Sequence, residues 1–263
     1  MTLTETDPKQ RFSNRAEDYA RYRPGYPREV LDVLREEYGL RQESVVADIG
    51  SGTGLLAQLF LENGNVVYGV EPNAAMREAG ERCLKDYSRF RSVAGSAEAT
   101  TLAAGSVDFV VAGQAFHWFD ANLARAEFAR VLRPGGWVAV IWNQRKKDAT
   151  LFLSGYENLL QTYGTDYEQV VATYPDQRRM EQFFGAGAFQ HRSFASAHRL
   201  DCEGLRGRAM SASYSPPPGH PNHEPLVAGL KRLFEEHQQG GQVRFDYETH
   251  VYYGHLKREN GKG

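Results

Sequence analysis

The order of apolar and polar positions divides the first 145 residues into short apolar runs and longer amphipathic segments. Between the runs, apolar residues recur every three to four positions, which predicts helices. Strands that alternate with helices predict a parallel sheet with right-handed crossovers. The predicted strands are Val45–Ile49, Val66–Val70, 90–94, Val107–Gly113 and the run after Pro134-Gly135, and the predicted helices are Glu29–Tyr38, 53–63, 74–87 and one capped by Asp120.

The pattern changes after residue 145. Helical spacing returns at 151–164, before 184 and at 226–237, whereas 189–198 and 243–255 alternate as strands do. We expect the last strand to be antiparallel and to lie at or near one edge of the sheet. The predicted fold is therefore α/β: a doubly wound, seven-stranded, mostly parallel sheet with an antiparallel C-terminal strand, a helical N-terminal lid and C-terminal insertions.

We expect one domain over residues 1–263, with a lid at 1–40, a core at 41–145 and cap helices with closing strands at 146–263. The first ten residues are polar and predict a disordered leader, after which Ser13 can cap a helix that includes Tyr19 and Arg23. Its tyrosines and arginines, in the sequence DYARYRPGYP, either pack on the core or form a lid in which hydroxyls and Arg23 face an anionic ligand.

A glycine-rich turn follows the first predicted strand and leads directly into a helix. Glycine lets a ligand approach the backbone, and the helix start presents free N–H groups, which is typical of nucleotide binding. From Gly52, the sequence fits a dinucleotide fingerprint, with Glu71 near the expected distance. From Gly50, with Asp48 ahead of the turn, it resembles motif I of class I S-adenosylmethionine-dependent methyltransferases. Asp48 favours the second interpretation.

The composition of the chain argues against nucleic-acid, membrane and metal partners. The chain has 41% hydrophobic and 24% charged residues and a net charge of −2, so it lacks the basic excess of a nucleic-acid-binding protein. It has no apolar signal core and no apolar run long enough for a membrane span, which predicts a cytoplasmic protein without membrane partners. Its two cysteines lack C-x-x-C spacing, and His220 and His223 lack ligand partners, so we expect no metal site.

Open α/β sheets bind ligands beyond the carboxyl ends of their strands. The candidate cofactor residues therefore lie in the turns that follow the strands. We expect the first turn to hold the methionine part, Glu71 to accept from the ribose hydroxyls and Ser96 with Ala97 to border the adenine. The full set is Asp48, Gly50, Ser51, Gly52, Gly54, Glu71, Pro72, Met76, Ser96, Ala97, Gln114 and Phe116.

The exit of the fourth strand, QAFHWFD, is unusually aromatic. We expect this turn to face the sulfonium and the methyl acceptor. His117 is either a general base or a hydrogen-bonded part of a packed wall. Trp118 either faces the sulfonium through cation–π attraction or packs in the core.

DIGSGTG, GVEP, GSAE, SVDFV, QAFHWFD and VLRPGG occur in this order. The series resembles class I methyltransferases of the type-11 group, with a Rossmann-like fold. The narrower set of YARYRPGYP, QAFHWFD and VAVIWNQR is similar to trans-aconitate methyltransferase-like proteins. Ser96 departs from the aspartate that many of the broader group carry, which leaves the adenine contact to backbone and water.

The resemblance implies S-adenosylmethionine as cofactor and a small-molecule acceptor, with O-methylation of a carboxylic acid as the specific expectation. A carboxylate needs cations and hydroxyls that hold it in line with the methyl group, and Tyr19, Arg23, Arg145 and His117 are the candidates. Two alternatives stay open: an NAD-dependent oxidoreductase and a non-catalytic cofactor-binding protein. The sequence leaves the oligomeric state open.

Overall fold

The computed structural model describes residues 16–256 of the chain, so the predicted leader and the Ser13 cap lie outside the described part. Its strands form one seven-stranded sheet in the order β3-β2-β1-β4-β5-β7-β6. The strands are β1 (Val45–Ile49), β2 (Val66–Val70), β3 (Phe90–Val93), β4 (Val107–Gly113), β5 (Leu132–Arg145), β6 (Phe189–Leu200) and β7 (Val243–Gly254). The first five pair in parallel and the C-terminal strands are antiparallel, which confirms the predicted fold.

The helices join and follow these strands. They are α1 (Ala16–Tyr22), α2 (Glu29–Tyr38), α3 (Leu55–Glu62), α4 (Ala74–Cys83), α5 (Ala121–Val131), α6 (Leu151–Tyr163), α7 (Tyr167–Val171), α8 (Gln177–Phe184), α9 (Cys202–Met210) and α10 (His223–His237). Within the described residues, no helix has the length and apolar character that a membrane span requires.

The chain divides into two compact units, each with its own apolar core. Within the described residues, the core unit comprises 25–142, 175–194 and 249–256, and the insertion unit comprises 16–24, 143–174 and 195–248. In the core unit, apolar residues fill both faces of the parallel strands. In the insertion unit, α6, α7, α9 and α10 enclose a separate apolar cluster. The predicted division into lid, core and cap within one domain stays a prediction.

Local sequence signals set several boundaries. Gly39 ends α2 in the left-handed region, at φ 70°, as the helix stop predicts. The Asp120 carboxylate caps α5 by accepting from the amides of Asn122 and Leu123. β5 begins at Leu132, before the predicted turn, and Gly135 supplies a positive φ of 79°. The pairing of β4 with β5 shifts register there, between Val107 and Phe109, which accommodates the turn inside the strand.

Candidate functional site

The carboxyl ends of β1, β2 and β4 meet on one side of the core unit. Ile49 pairs with Val70, and the amides of Gly50 and Ser51 both donate to the Val70 carbonyl, at 2.9 and 3.2 Å. The order of the sheet reverses between β1 and β4, since β1 neighbours both β2 and β4. Such a switch point opens a crevice where ligands bind in α/β sheets. The glycine-rich turn after β1 lies at this point.

Gly50 is required both by its backbone conformation and by its neighbours. Its φ is 69°, and a Cβ there would lie 2.5 Å from Cβ of Ala115 and 3.5 Å from the Phe119 ring. The turn after β1 and the exit of β4 therefore touch through a position that tolerates no side chain. Across the turn, Cε of Met76 lies 3.2 Å from the Cβ position of Gly52, so Met76 is a floor of the turn. Ser51 and Gly54 complete the turn through the 2.8 Å bond from Gly54 N–H to the Ser51 carbonyl.

We expect Gly50→Ala to lower both thermal stability and cofactor affinity. The methyl group meets Ala115 in a backbone conformation that L-residues avoid, and such positions cost about 1–3 kcal/mol each. Gly105→Ala is the matched control, because Gly105 has φ 61° and nothing within 4 Å of its Cβ position. Thermal melts and cofactor titration of both variants check the prediction. Equal loss of cofactor affinity in the two variants would contradict a specific role for the Gly50 contact.

Glu71 follows β2 and ties the turn to the start of α4. Its side chain is buried, and its two carboxylate oxygens accept from the amides of Gly52 (2.9 Å) and Asn73 (2.8 Å). Burial raises the pKa of Glu71, while the same two amides and Arg77 lower it. Each oxygen has a second lone pair for a ligand hydroxyl. The geometry therefore suits the predicted acceptor role.

Asp48, near the end of β1, is a buried acid that lacks a hydrogen-bond partner in the described part of the chain. The pKa of Asp48 is raised to about 8. Burial is the largest cause, the charge of Glu71 also raises the pKa, and the Ala57 amide partly offsets both. The buried Thr53 hydroxyl also lacks a described partner. Buried polar atoms are nearly always paired in folded proteins, so these two residues indicate a polar ligand or bound water.

The turn after β3 is compact. Ser96 and Ala99 exchange both backbone hydrogen bonds, at 3.1 and 3.2 Å, and Ala97 is buried. Glu98 accepts from the Asp120 amide at 2.9 Å, so its carboxylate connects this turn to the start of α5. Pro72 is exposed beside Glu71. The adenine-bordering role of Ser96 and Ala97 stays a prediction.

The exit of β4 contains a strained residue, Gln114, and a buried aromatic ring, Phe116. Gln114 has a positive φ of 56°, unusual for a residue with a side chain, and its amide donates to the Ile141 carbonyl at 3.1 Å. Phe116 is buried edge-on against Phe183, with ring centroids 5.0 Å apart. Such local strain is characteristic of ligand-binding positions, which supports Gln114 as a site residue.

His117 packs between two tryptophans. Its ring centroid lies 4.4 Å from that of Trp118 and 5.2 Å from that of Trp142. Trp142 is buried. This arrangement favours the packed-wall interpretation of His117 over the general base.

Tyr26 lies beside the candidate site, although the sequence interpretation did not single it out. Its hydroxyl touches the Cβ position of Gly113, the last residue of β4. The same Cβ position lies 3.0 Å from Leu56 in α3, the helix that follows the glycine turn. The only sequence signal was its place in the tyrosine-rich YRPGYP segment.

Tyr19 and Arg23 come together in the insertion unit. The Arg23 guanidinium lies 4.8 Å from the centre of the Tyr19 ring. It donates to the Ser211 hydroxyl at 2.9 Å and to the Ser211 carbonyl at 3.0 Å. No acid among the described residues forms a salt bridge with Arg23. The arginine is thus positioned by neutral oxygens and its charge is uncompensated by them.

Arg145, also in the insertion unit, is held by an acid that sequence reasoning missed. Its buried guanidinium bridges to Glu157 in α6 and lies 4.9 Å from the centre of the Tyr156 ring. Tyr167 donates to the same carboxylate at 2.6 Å and Lys147 bridges to it at 2.9 Å. Burial raises the pKa of Glu157, but the hydrogen bonds from Tyr167, Lys147 and Arg145 together lower it by more. The pKa of Glu157 is therefore below its usual range.

His117 thus belongs to the core unit, whereas Tyr19, Arg23 and Arg145 belong to the insertion unit. The twelve candidate cofactor residues all belong to the core unit. Among the residues from 16 to 256, no group of three or more His, Cys, Asp or Glu side chains is arranged to hold a metal ion.

The sheet order, the switch-point turn and the acid after β2 agree with a class I S-adenosylmethionine-dependent methyltransferase domain. Residues 47–140 match the type-11 family model described as "Methyltransferase domain". Its cofactor is S-adenosylmethionine.

Known proteins share this domain. A protein of Mycobacterium bovis named as an uncharacterized methyltransferase is 37% identical over 145 residues, which cover 55% of this chain and 57% of that protein. The chain thus spans about half the length of the curated relatives it matches.

Among solved structures, the YcgJ protein of Bacillus subtilis matches with a TM-score of 0.55 and 19% identity, covering 89% of this chain and 100% of that chain. A Haemonchus contortus phosphoethanolamine N-methyltransferase in complex with S-adenosylhomocysteine matches with a TM-score of 0.56 and 15% identity, covering 95% of this chain and 58% of that chain. At these identities the two structures support the fold alone.

Proposed function

We propose that the protein transfers a methyl group from S-adenosylmethionine to a small carboxylic acid, which becomes an O-methyl ester. The observation that carries this proposal is a local group of cations in the insertion unit that has few anionic partners among the described residues. Arg145 and Lys147 share the one carboxylate of Glu157, and Arg23 has no salt bridge to a described acid. Because cations that lose contact with water need anionic partners, these three side chains favour an anionic acceptor.

The residues of the core unit fit the cofactor. The turn after β1 allows close backbone approach, and the unpaired Asp48 oxygens suit a ligand that carries positive charge. The Glu71 oxygens, each fixed by one amide, suit the two ribose hydroxyls. We assign the methionine part to Asp48 and the glycine turn, the ribose to Glu71 and the adenine to the Ser96-Ala97 turn.

The chemistry needs little proton transfer. When bound, the cofactor supplies an electrophilic methyl group on a positively charged sulfur and leaves as S-adenosylhomocysteine. A carboxylate is ionised at pH 7, and its oxygen forms the new bond to carbon as the sulfur takes the electron pair of the broken bond. The protein therefore has to hold the acid in line and exclude water. The packing of His117 between Trp118 and Trp142 agrees with a wall that needs no base.

The acceptor class is tested by incubating the full chain with S-adenosylmethionine and a panel of small mono-, di- and tricarboxylic acids, with matched amines and phenols. Mass spectrometry detects products that are one methyl group heavier, and mild base distinguishes esters from N-methyl products. We expect base-labile products from acids alone. Base-stable products, or turnover confined to amines or phenols, would contradict the proposal.

Arg23→Ala is expected to impair acceptor use more than cofactor binding. Loss of one charge-assisted hydrogen bond weakens binding by about tenfold or more, so the acceptor KM should rise by that factor. Arg21→Ala is the matched control, because Arg21 lies two residues before Arg23, is exposed in the last turn of α1 and pairs with Glu203. The measurements are the acceptor KM and the Kd of S-adenosylhomocysteine for both variants. An equal loss of both quantities in Arg23→Ala would instead assign Arg23 to the cofactor.

A further inference from the structure

The insertion unit also contains a group of buried polar atoms that lack hydrogen-bond partners among the described residues. Nη1 of Arg208, the Tyr156 hydroxyl and Nδ1 of His198 are buried without a hydrogen-bond partner in the described part of the chain. Nη1 of Arg145 is in the same condition. The four atoms come from α9, α6, β6 and the end of β5, so tertiary packing rather than one local motif assembles them.

Arg208 is the most unusual member of this group. It lies on α9, only 6% of its surface is exposed, and Nε donates to the Tyr247 hydroxyl at 3.3 Å. It forms no salt bridge with any acid that the structure describes. A guanidinium does not lose its proton in proteins, so Arg208 is a buried positive charge held by a neutral phenol. Arg145, in contrast, has Glu157 as a counter-ion.

The unpaired atoms share one electrostatic environment. Burial raises the pKa of Tyr156 to about 12, while the charges of Arg208 and Arg145 both act to lower it. Burial also lowers the pKa of His198, and the charge of Arg208 lowers it further. The Tyr156 phenol therefore keeps its proton at neutral pH and can donate a hydrogen bond to a ligand. His198 is neutral there, and Nδ1 is a donor in one of its two tautomers.

Hydrogen-bond donors outnumber acceptors in this cluster. Buried polar groups of folded proteins are nearly always paired, and a buried charge is normally paired with an opposite one. A water molecule supplies an acceptor atom but no negative charge. An oxyanion supplies both, and the planar guanidinium of Arg208 matches its geometry.

We propose that Arg208 and Tyr156, with His198 at the margin, form a buried site in the insertion unit for a compact oxyanion such as a carboxylate, sulfate or phosphate group. The oxyanion is either an acidic group of the methyl acceptor or a free inorganic anion. The first of these two sources rests on the proposed function, and the site itself does not.

The site is tested by thermal melting of the full chain with succinate, sulfate or phosphate, each against sodium chloride at equal ionic strength. We expect at least one of the three anions to raise the melting temperature beyond the chloride control. Arg208→Met should abolish that shift. Arg206→Met is the matched control, because Arg206 lies on the same helix but is exposed, and it should keep the full shift.

Tyr156→Phe is a second variant that tests the site even if Arg208→Met fails to fold. Removal of a buried hydroxyl without a partner leaves the fold intact, so this variant should melt at or above the wild-type temperature in chloride. Its affinity for the anion should fall by about tenfold, as expected for loss of one hydrogen bond to a charged group. The absence of any anion-specific shift in the wild type, or an equal shift in Arg208→Met, would overturn the site.

Kinetics distinguish the two sources once an acceptor is found. If the acceptor's own acidic group fills the site, sulfate competes with the acceptor, and Arg208→Met raises the acceptor KM with little change in kcat. If a free anion fills it, sulfate does not compete with the acceptor and still stabilises the protein. Either result supports the site. Because the melting experiment needs no methyl transfer, failure of acid methylation and failure of the anion site are separate results.

Discussion

Replacing Glu71 with glutamine is expected to weaken cofactor binding by roughly tenfold to a hundredfold, the range given by an unpaired buried amide together with loss of a charged acceptor. Each Glu71 oxygen accepts from one backbone amide, Gly52 on one side and Asn73 on the other. Glutamine offers one oxygen and one NH₂ group, so one of the two amides faces a donor. The substitution also removes the negative charge that favours the ribose hydroxyls as donors.

Glu98→Gln is the control for this prediction. Glu98 also accepts a backbone amide, that of Asp120 at 2.9 Å, but at an exposed position. The same chemical change there should leave cofactor affinity within about a factor of two, as is usual for exposed sites. The Kd of S-adenosylhomocysteine, measured by calorimetry for both variants, decides the matter. Unchanged affinity in Glu71→Gln would remove Glu71 from the cofactor site.

Binding of S-adenosylmethionine is expected to release about one proton at pH 7 and about none at pH 9.5, because burial raises the pKa of Asp48 to about 8 in the free protein. The free acid is therefore largely protonated at pH 7. A cofactor with a sulfonium and an ammonium group favours the ionised form and so lowers this pKa. Calorimetry in two buffers with different ionisation enthalpies measures the released proton. Equal binding enthalpies in the two buffers at pH 7 would contradict the prediction.

Asp48→Asn should abolish this proton release and change how the stability of the free protein depends on pH. An acid whose pKa is higher in the folded than in the unfolded state holds its proton only when folded, so the wild type loses stability as pH rises from about 4 to about 8. Asparagine does not titrate, so the variant lacks this loss. Thermal melts at pH 5 and pH 9 should show the variant gaining on the wild type at the higher pH.

Local sequence signals were sufficient for much of the fold. The Gly39 stop and the Asp120 cap are satisfied by atoms within a few residues, and both lie where the sequence predicted them. The predicted helix at 74–87 was too long, since α4 ends at Cys83. Leu84 leaves the helix and packs against the Cβ position of Gly54, 2.5 Å from Cδ1, a contact that joins distant segments. The predicted helix at 53–63 also extended beyond α3 (Leu55–Glu62), because Gly54, at φ 86°, lies outside the helix as its N-cap.

In the candidate site, too, local features could be predicted from the sequence and contacts between distant residues could not. The turn after β1 could be read from its glycine spacing, because a strand–turn–helix unit carries its own signal. Tyr26, Glu157 and Arg208 could not, because each acquires its role from partners distant in sequence. Glu157 gains its role from Arg145 and Lys147, and Arg208 from Tyr247. No motif relates these positions, so only the folded chain shows that one acid pairs with two cations and that Arg208 has no acidic partner among residues 16–256.

The proposed function requires that the turn from Asp48 to Gly54, with Glu71, holds S-adenosylmethionine rather than a dinucleotide. Calorimetric titration of the full chain with S-adenosylhomocysteine, and separately with NAD and NADH, tests this claim directly. We expect saturable binding of one S-adenosylhomocysteine per chain and no binding of either dinucleotide. Tight NAD or NADH binding without S-adenosylhomocysteine binding would contradict it.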